Sequence, residues 1–357
     1  MSGAFTSKQQ TLKLEAKFGG VCLPGLSLWL DPQRQVPEDG HVFVSHAHSD
    51  HVARHKKFIA TTATALFLKS RLRTTFVPEQ FDFFRSRILE SRTGSFRLTL
   101  LPAGHVLGSA MALLDTDAGR LLYTGDFKLK PCPIAENCDF SPAKHCDVLV
   151  METTYGLPQY VFPPEDEVHA QIASFCKETL AAKATPVLLA SSLGKSQKLI
   201  LGLAKFGLPI MVHNTIHALN VIYQQMGFAL PHCEVFHPDR LRGKVLICPP
   251  SAARRIAAQC PTELRLAVAS GWALDPRCRF RLGVHAGFPL SNHADYSELV
   301  RLVECIEPRL IVTLHGFASE FASTLRAAGW NAQTLSVPEQ LDLPLRLSSN
   351  RLCSATI

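Results

Sequence analysis

The segment Val44-Ser45-His46-Ala47-His48-Ser49-Asp50-His51 carries four side chains able to hold a cation within six positions. It follows directly on the apolar run Val42-Phe43-Val44. A buried strand leading into such a loop aims several side chains at one point from a rigid support. Imidazole and carboxylate are the donors that borderline divalent cations such as zinc accept, and no cysteine belongs to the set. The arrangement recurs along the chain. Gly104-His105 follows Leu98-Thr99-Leu100-Leu101-Pro102-Ala103, and Gly125-Asp126 follows Leu121-Leu122-Tyr123-Thr124. His315-Gly316 follows Leu310-Ile311-Val312-Thr313-Leu314, and Ser291-Asn292-His293-Ala294-Asp295 adds a further histidine. Open α/β sheets build their sites beyond the carboxyl ends of strands, so these positions stand where chemistry belongs.

Composition sets the limits within which that pattern acts. A chain of 357 residues exceeds one average domain, and two lobes are expected. With 46% hydrophobic and 19% charged residues it reads as folded rather than disordered. Its apolar runs, such as Leu310 to Leu314, are strand-sized and far below the roughly 20 residues of a membrane span. The N-terminus lacks the apolar core of a secretory signal. Eleven cysteines without a Cys-x-x-Cys pair argue against a disulfide framework, and a reducing cytoplasm is the expected compartment.

The net charge of +7 suits a polyanionic partner but is weak evidence alone. More telling are the clusters Arg71 and Arg73, Arg85 and Arg87, Lys128 and Lys130, Arg240 with Arg242 and Lys244, and Arg277, Arg279 and Arg281. Each reads either as a solvated face or as part of a phosphate track.

From Val21 to Gly156 the pattern is one of short strands, among them Leu28 to Leu30, Val42 to Ser45, Phe96 to Leu101, Arg120 to Thr124 and Asp147 to Met151. A helix over Thr62 to Leu72 interrupts them. The texture then changes to a helix over Val168 to Ala182 and alternating units. Strand Pro186 to Ala190 leads to helix Lys195 to Phe206, and strand Pro209 to Val212 to helix Ile216 to Gln225. Strands Lys244 to Cys248 and Leu264 to Ala269 follow. Such alternation predicts a small parallel sheet with helices on both faces. Helix Tyr296 to Ile306, strand Arg309 to Leu314 and helix Phe317 to Ala328 return to the first lobe.

These motifs together resemble the metallo-β-lactamase superfamily of metal-dependent hydrolases. Asp31 in Trp29-Leu30-Asp31-Pro32 matches its first motif; His46, His48, Asp50 and His51 the second; His105 the third; and Asp126 the fourth. Glu152 in Met151-Glu152-Thr153-Thr154-Tyr155-Gly156, His293 and His315 match motifs A, B and C of the β-CASP nuclease branch. Within it the chain is similar to the bacterial DNA-ligase-associated exonucleases, a group with likeness to mRNA 3′-end processing factors. That likeness runs from about Val21 to about Thr334 and includes Ser191 to Gln197, Cys248 to Ala252 and Ala269 to Trp272.

The resemblance implies an α/β fold, a metallo-β-lactamase αββα sandwich with an inserted β-CASP α/β lobe and the active site in the cleft between them. It implies a first part at 1–160, the insert at 161–285, a return segment at 286–340 and a C-terminal tail at 341–357. It further implies two divalent metal ions, zinc ahead of manganese. His46, His48 and His105 would hold the first, Asp50, His51 and His315 the second, with Asp126 bridging. Asp31 would accept a hydrogen bond from a ligand imidazole; a plain turn aspartate is the alternative. His293 would act as general acid, with Glu152 orienting it, though Glu152 also reads as a strand-end residue making a local hydrogen bond.

Ser192 and Lys195, between a strand and a helix, read as a phosphate cradle or as a serine cap beside a solvated lysine. Ser291, ahead of His293, joins them as an expected substrate contact. His213 and His217 match no motif and read as structural or surface residues. The function so implied is hydrolysis of the nucleic-acid backbone, DNA ahead of RNA, by an exonuclease of ligase-associated DNA repair. An ATP-dependent DNA ligase and a helicase are the partners that family analogy suggests, and no membrane is involved. An RNA-processing nuclease is the alternative, because motif C is histidine in many RNA-processing members. A non-catalytic nucleic-acid-binding subunit is a third reading, which the unbroken motifs disfavour.

Overall fold

The computed structural model describes residues 13–37, 40–72, 76–91, 94–260 and 262–335. The expected tail from Leu341 onward lies outside these residues, as does Arg73. The described chain divides into two compact units, one formed by the residues up to 159 and from 293 onward, the other by residues 160–292.

The first unit opens with six short strands, β1 (Glu15–Lys17), β2 (Gly20–Leu23), β3 (Leu28–Leu30), β4 (His41–Phe43), β5 (Lys57–Ala60) and, after helix α1 (Thr62–Leu72), β6 (Val77–Gln80). They pair in chain order into one sheet, antiparallel from β1 to β3 and parallel from β3 to β6. A second sheet takes β7 (Ser86–Ser91), β8 (Gly94–Pro102), β9 (Ala110–Thr116), β10 (Gly119–Tyr123) and β11 (Val148–Glu152).

In the second unit, α2 (Glu165–Ala181), β12 (Thr185–Leu189), α3 (Lys195–Ala204), β13 (Ile210–Val212) and α4 (Asn214–Gln225) come first. β14 (Glu234–Val235), β15 (Val245–Cys248), α5 (Ala253–Ala257), β16 (Leu264–Ala269), α6 (Cys278–Leu282) and β17 (Ala286–Phe288) complete it. The chain ends its described course in α7 (Tyr296–Ile306), β18 (Leu310–Leu314), α8 (Ala318–Ala327) and β19 (Ala332–Thr334).

The return segment completes the second sheet, whose order is β19-β18-β11-β10-β9-β8-β7. Its strands alternate apolar residues between two faces, as a sheet covered on both sides requires. Leu98, Leu100, Ala112, Leu121, Val150 and Val312 face the first sheet and pack with Leu30, Phe43 and Ile59. Leu101, Met111, Leu122, Leu149 and Ile311 face outward and are covered by Leu299, Leu302 and Val303 of α7 and Phe321 and Leu325 of α8. Two sheets between helical layers are the αββα sandwich.

The second unit is a six-stranded, wholly parallel sheet of order β14-β13-β15-β12-β16-β17. Helices α2 and α3 cover one face through Val168, Ile172, Leu199 and Leu203. Ile256 of α5 and Cys278 of α6 pack on the other. β17, which follows the expected boundary at 285, forms the edge of this sheet. Inside the unit Lys198 is buried, its ammonium 2.8 Å from Glu165 and 3.1 Å from the Ser291 carbonyl.

Helices α1 and α7 and strands β3 and β16 have the expected bounds, and the other expected elements shift by one to three residues. β9 goes beyond the sequence reading. Its run Ala110-Met111-Ala112-Leu113-Leu114 is rich in helix formers, and pairing on both sides with β8 and β10 overrides that preference. Leu302 lies fully buried under the sheet. Leu302→Ala is expected to destabilise the first unit by about 2–5 kcal/mol, and Arg309→Gln on its exposed rim by less than about 0.5 kcal/mol. Urea titration followed by circular dichroism checks both; equal midpoints would contradict this packing.

Candidate functional site

Six strand ends meet in the first unit. Asp31 follows β3, His46 to His51 follow β4, His105 follows β8, Asp126 follows β10, Glu152 ends β11 and His315 follows β18. The glycines beside these residues have a steric cause. Gly125 has φ +52°, and a Cβ there would lie 2.6 Å from the Ser45 side chain. Gly104 has φ +75°, and a Cβ would stand 2.3 Å from the Lys128 carbonyl. Only glycine lets the two loops approach this closely.

Asp31 is buried with φ +48°, and four donors fill its carboxylate. The Ser45 backbone N–H donates to Oδ1 at 2.6 Å. The Ser45 hydroxyl at 2.5 Å, the Tyr123 hydroxyl at 2.9 Å and His51 Nδ1 at 2.9 Å all donate to Oδ2. Tautomers follow from this network. His51 carries a proton on Nδ1, which turns Nε2 toward Asp126 Oδ2, 3.4 Å away. The one Ser45 hydroxyl proton is committed to Asp31, so His46 Nδ1 donates to Ser45 Oγ at 3.0 Å and its Nε2 is bare in the neutral ring.

Around that bare nitrogen the donors converge. His46 Nε2 and His48 Nδ1 are 3.1 Å apart, and His48 Nδ1 and His105 Nε2 are also 3.1 Å apart. Asp126 Oδ2 stands 3.3 Å from His46 Nε2 and 3.6 Å from His105 Nε2. Ligands about 2.0–2.1 Å from a tetrahedral zinc ion stand roughly 3.3–3.4 Å from one another. The spacing of His46, His48, His105 and Asp126 therefore fits a divalent cation.

A second set, Asp126, Glu152 and His293, brings its atoms equally close. It has another character. His293 Nδ1 lies 2.9 and 3.1 Å from the two Glu152 oxygens, which is hydrogen-bond geometry. Glu152 also accepts from the Phe127 backbone N–H at 2.9 Å and from the Thr154 hydroxyl. Glu152 thus holds the His293 ring by its Nδ1–H. Asp50, His51 and His315 line one recess together with Asp31 and Tyr123, and the Asp50 side chain is the exposed member. His315 has φ +59°, a conformation that Thr153 braces by donating to the His315 carbonyl at 2.6 Å.

Electrostatics follow the same geometry. Burial opposes protonation of His51, yet Asp126 and Asp31 on its two sides outweigh it and raise its pKa well above the ordinary value. Burial likewise opposes ionisation of Asp126, but His51, His293 and His46 hold that carboxyl well below its usual range. Burial and the neighbouring His46 push His48 down to about 3, and burial and His293 hold His105 well below its ordinary value. Neutral His48 and His105 beside an ionised Asp126 are protonation states that suit a cation, which at His51 Nε2 would take the place of a proton.

Ser192, Lys195 and Ser291 belong to the second unit. Helix α3 is capped by Gly194, whose N–H donates to the Gln197 side chain at 2.7 Å, rather than by a serine. The Ser192 hydroxyl pairs with Thr215, and its carbonyl accepts from Gln197. His213 caps α4 by accepting from the Thr215 N–H, and His217 is exposed.

Sequence reading overlooked Ser45, Tyr123, Asp295 and Glu298. Asp295 caps α7, and buried Glu298 completes the box while accepting from the Leu129 and Lys130 N–H groups at 2.8 and 2.6 Å. The loop after Asp126 is thereby fastened to the helix that follows His293. The Asp-x-x-Glu spacing before an apolar helix was the available signal.

Residues 40–171 match the family model described as the metallo-beta-lactamase superfamily, and residues 281–335 that described as the Zn-dependent metallo-hydrolase RNA specificity domain. Over 339 residues the chain is 42% identical to a probable DNA ligase of Opitutus terrae, covering 94% of this chain and 32% of that protein. It is 28% identical over 293 residues to the DNA cross-link repair 1A protein of Mus musculus, covering 76% of this chain and 28% of that one. The chain thus spans about a third of these relatives' length. A solved structure of an Enterococcus faecalis V583 protein of unknown function shares the fold, with a TM-score of 0.54 at 16% identity over 86% of this chain and 81% of that one. Among the described residues no helix is long and apolar enough to cross a membrane. With both family models matched around this cluster of histidines and aspartate, the chain belongs to the metallo-β-lactamase superfamily of metal-dependent hydrolases, in its β-CASP branch.

Proposed function

We propose that this protein is a metal-dependent phosphodiesterase that hydrolyses the nucleic-acid backbone, a DNA exonuclease working with a DNA ligase in repair. The observation that carries the chemistry is Asp126, whose carboxylate is shared between the imidazole cluster of His46, His48 and His105 and the Glu152–His293 pair. The DNA assignment draws on the relatives: 94% of the chain resembles about a third of a protein named as a DNA ligase. A nuclease that trims ends for sealing is a reasonable companion to ligation, with a helicase as a further expected partner. A reducing cytoplasm suits the free cysteines of the described residues.

Two divalent cations would be held here, one by His46, His48 and His105, the other by Asp50, His51 and His315, with Asp126 between them. An imidazole-rich set favours zinc over manganese. When bound, such cations lower the pKa of a water molecule toward neutrality and neutralise charge on the scissile phosphate. The protein's own groups do the rest. Asp31 keeps His51 in the tautomer that presents Nε2. The bond from phosphorus to the attacking oxygen forms as the bond to the leaving oxygen breaks. His293 gives the leaving oxygen its proton, and Glu152 steadies the imidazolium through Nδ1–H. Ser192, Lys195 and Ser291 are retained as contacts to the rest of the strand.

An RNA substrate is the second reading. The match to a domain described by RNA specificity and the histidine at position 315 both favour it. Single- and double-stranded DNA and RNA, labelled at either end and incubated with the zinc- or manganese-loaded protein, decide between the two. Progressive shortening of DNA from one end is expected; cleavage of RNA alone would transfer the assignment to RNA, and intact substrates throughout would end the nuclease reading.

Metal binding is tested separately. Asp31→Asn is expected to weaken affinity roughly 10–100-fold, read by competition with a chromogenic chelator. Asp126→Ala is expected to lose both ions by elemental analysis, and retention of one would remove its bridging role. His293→Ala should keep both ions and lose roughly 10²–10⁴-fold in rate on DNA. That loss should shrink on a nitrophenyl phosphodiester, whose leaving oxygen departs without a proton. Equal losses on both substrates would rule out His293 as the acid.

A further inference from the structure

Charge is unevenly spread along this chain. Residues 51–78 hold six Lys/Arg and no Asp/Glu, against a net charge of +7 for the whole protein. This stretch leaves the donor loop at His51 and runs through β5 and α1. Several of the other basic clusters are committed elsewhere. Lys128 is buried, and Lys130 donates to Asp295. Arg87 donates to the Gln80 carbonyl and lies over the Phe81 ring. Lys244 pairs with Glu234, and Arg277 and Arg281 both face Asp275.

Arg71 is different. It stands in the last turn of α1 with an exposed side chain, and its Nη1 donates to the carbonyl of Ala47, the residue between His46 and His48. Its charge acts on both Asp50 and His48. Among the described residues it pairs with no carboxylate at contact distance. A guanidinium is a planar fork of five N–H donors, so one bond to Ala47 leaves most of the fork available beside the donor loop.

We propose that Arg71 is a substrate-binding residue that clamps a backbone phosphate of the nucleic acid next to the His46–His51 loop. The anchored arm orients the fork before substrate arrives, which removes part of the ordering cost of binding. The remaining N–H groups match the non-bridging oxygens of a phosphodiester, which accept a bidentate pair. Because the anchor is the main chain of the loop itself, the phosphate is held in fixed register with the donor set. This inference rests on the nuclease reading.

The test compares wild type, Arg71→Gln, Arg71→Lys and Arg309→Gln. Arg309 is exposed, pairs with Asp147 and directly precedes β18 at the end of the strand away from His315, so its change removes one charge without touching the site. Metal content, kcat and KM on a DNA oligonucleotide, and the slope of log K against log salt are measured for each. Arg71→Gln is expected to keep both metals, raise KM roughly tenfold and leave kcat within about twofold, as for loss of a charge-assisted contact. Its salt slope should fall by about 0.7–0.9, one phosphate contact. Arg71→Lys should recover most of the slope, since it retains the charge, but only part of KM, since it lacks the fork. Arg309→Gln should match wild type. If Arg71→Gln loses metal, or lowers kcat at unchanged KM and slope, Arg71 is a brace for the loop and the proposal is overturned. A wild type that neither binds nor cleaves nucleic acid would instead overturn the nuclease reading on which the inference stands.

Discussion

The Asp31 carboxylate is the interaction on which the rest of this site depends. It is a buried anion satisfied by a backbone amide, two hydroxyls and an imidazole. Leaving such a group unpaired would be costly, so its partners have little freedom to move. Through Tyr123 it ties the first sheet to the second, and through Ser45 and His51 it sets the proton positions on two rings of the donor loop. Asp31 is held by protein donors, and its hydrogen bonds fix which nitrogens of His46 and His51 face Asp126.

Around that centre the protein spends steric precision rather than bulk. Gly104 and Gly125 let loops from different strands come within contact of each other's backbone and side chains. On the far side Glu298 gathers the N–H groups of Leu129, Lys130 and Asp295, so the loop after Asp126 and the start of α7 move as one piece. His293 lies two residues before that cap and Glu152 holds its ring, with Nδ1 3.8 Å from Asp126 Oδ2.

Charge placement completes the arrangement. The imidazole cluster sits beside an ionised carboxylate, while the cationic stretch from Arg54 to Arg71 flanks it in sequence and meets it through the Ala47 carbonyl. A polyanion approaching this region meets favourable potential before it reaches the site. The clusters at Lys128 and Lys130 and at Arg277 and Arg281 looked equivalent in the sequence, but burial and neighbouring carboxylates remove them from that role.

Much of this was legible in the order of residues alone. Histidines and aspartates placed just after apolar runs announce strand-end chemistry, because period-two burial and loop position are local properties of the chain. The alternation of strands and helices from Pro186 to Ala269 announced the parallel sheet for the same reason. Other features needed the folded molecule. β9 reads as helix by composition, and only its two neighbours make it a strand. Ser45, Tyr123 and Glu298 are ordinary residue types whose importance comes from partners distant in sequence, as with the 92 positions that separate Tyr123 from Asp31. The same holds for which arginine reaches the donor loop, through the Ala47 carbonyl. Local pattern determines what a segment can become, whereas tautomers, glycine contacts and the pairing of charges are settled by long-range packing that no single segment contains.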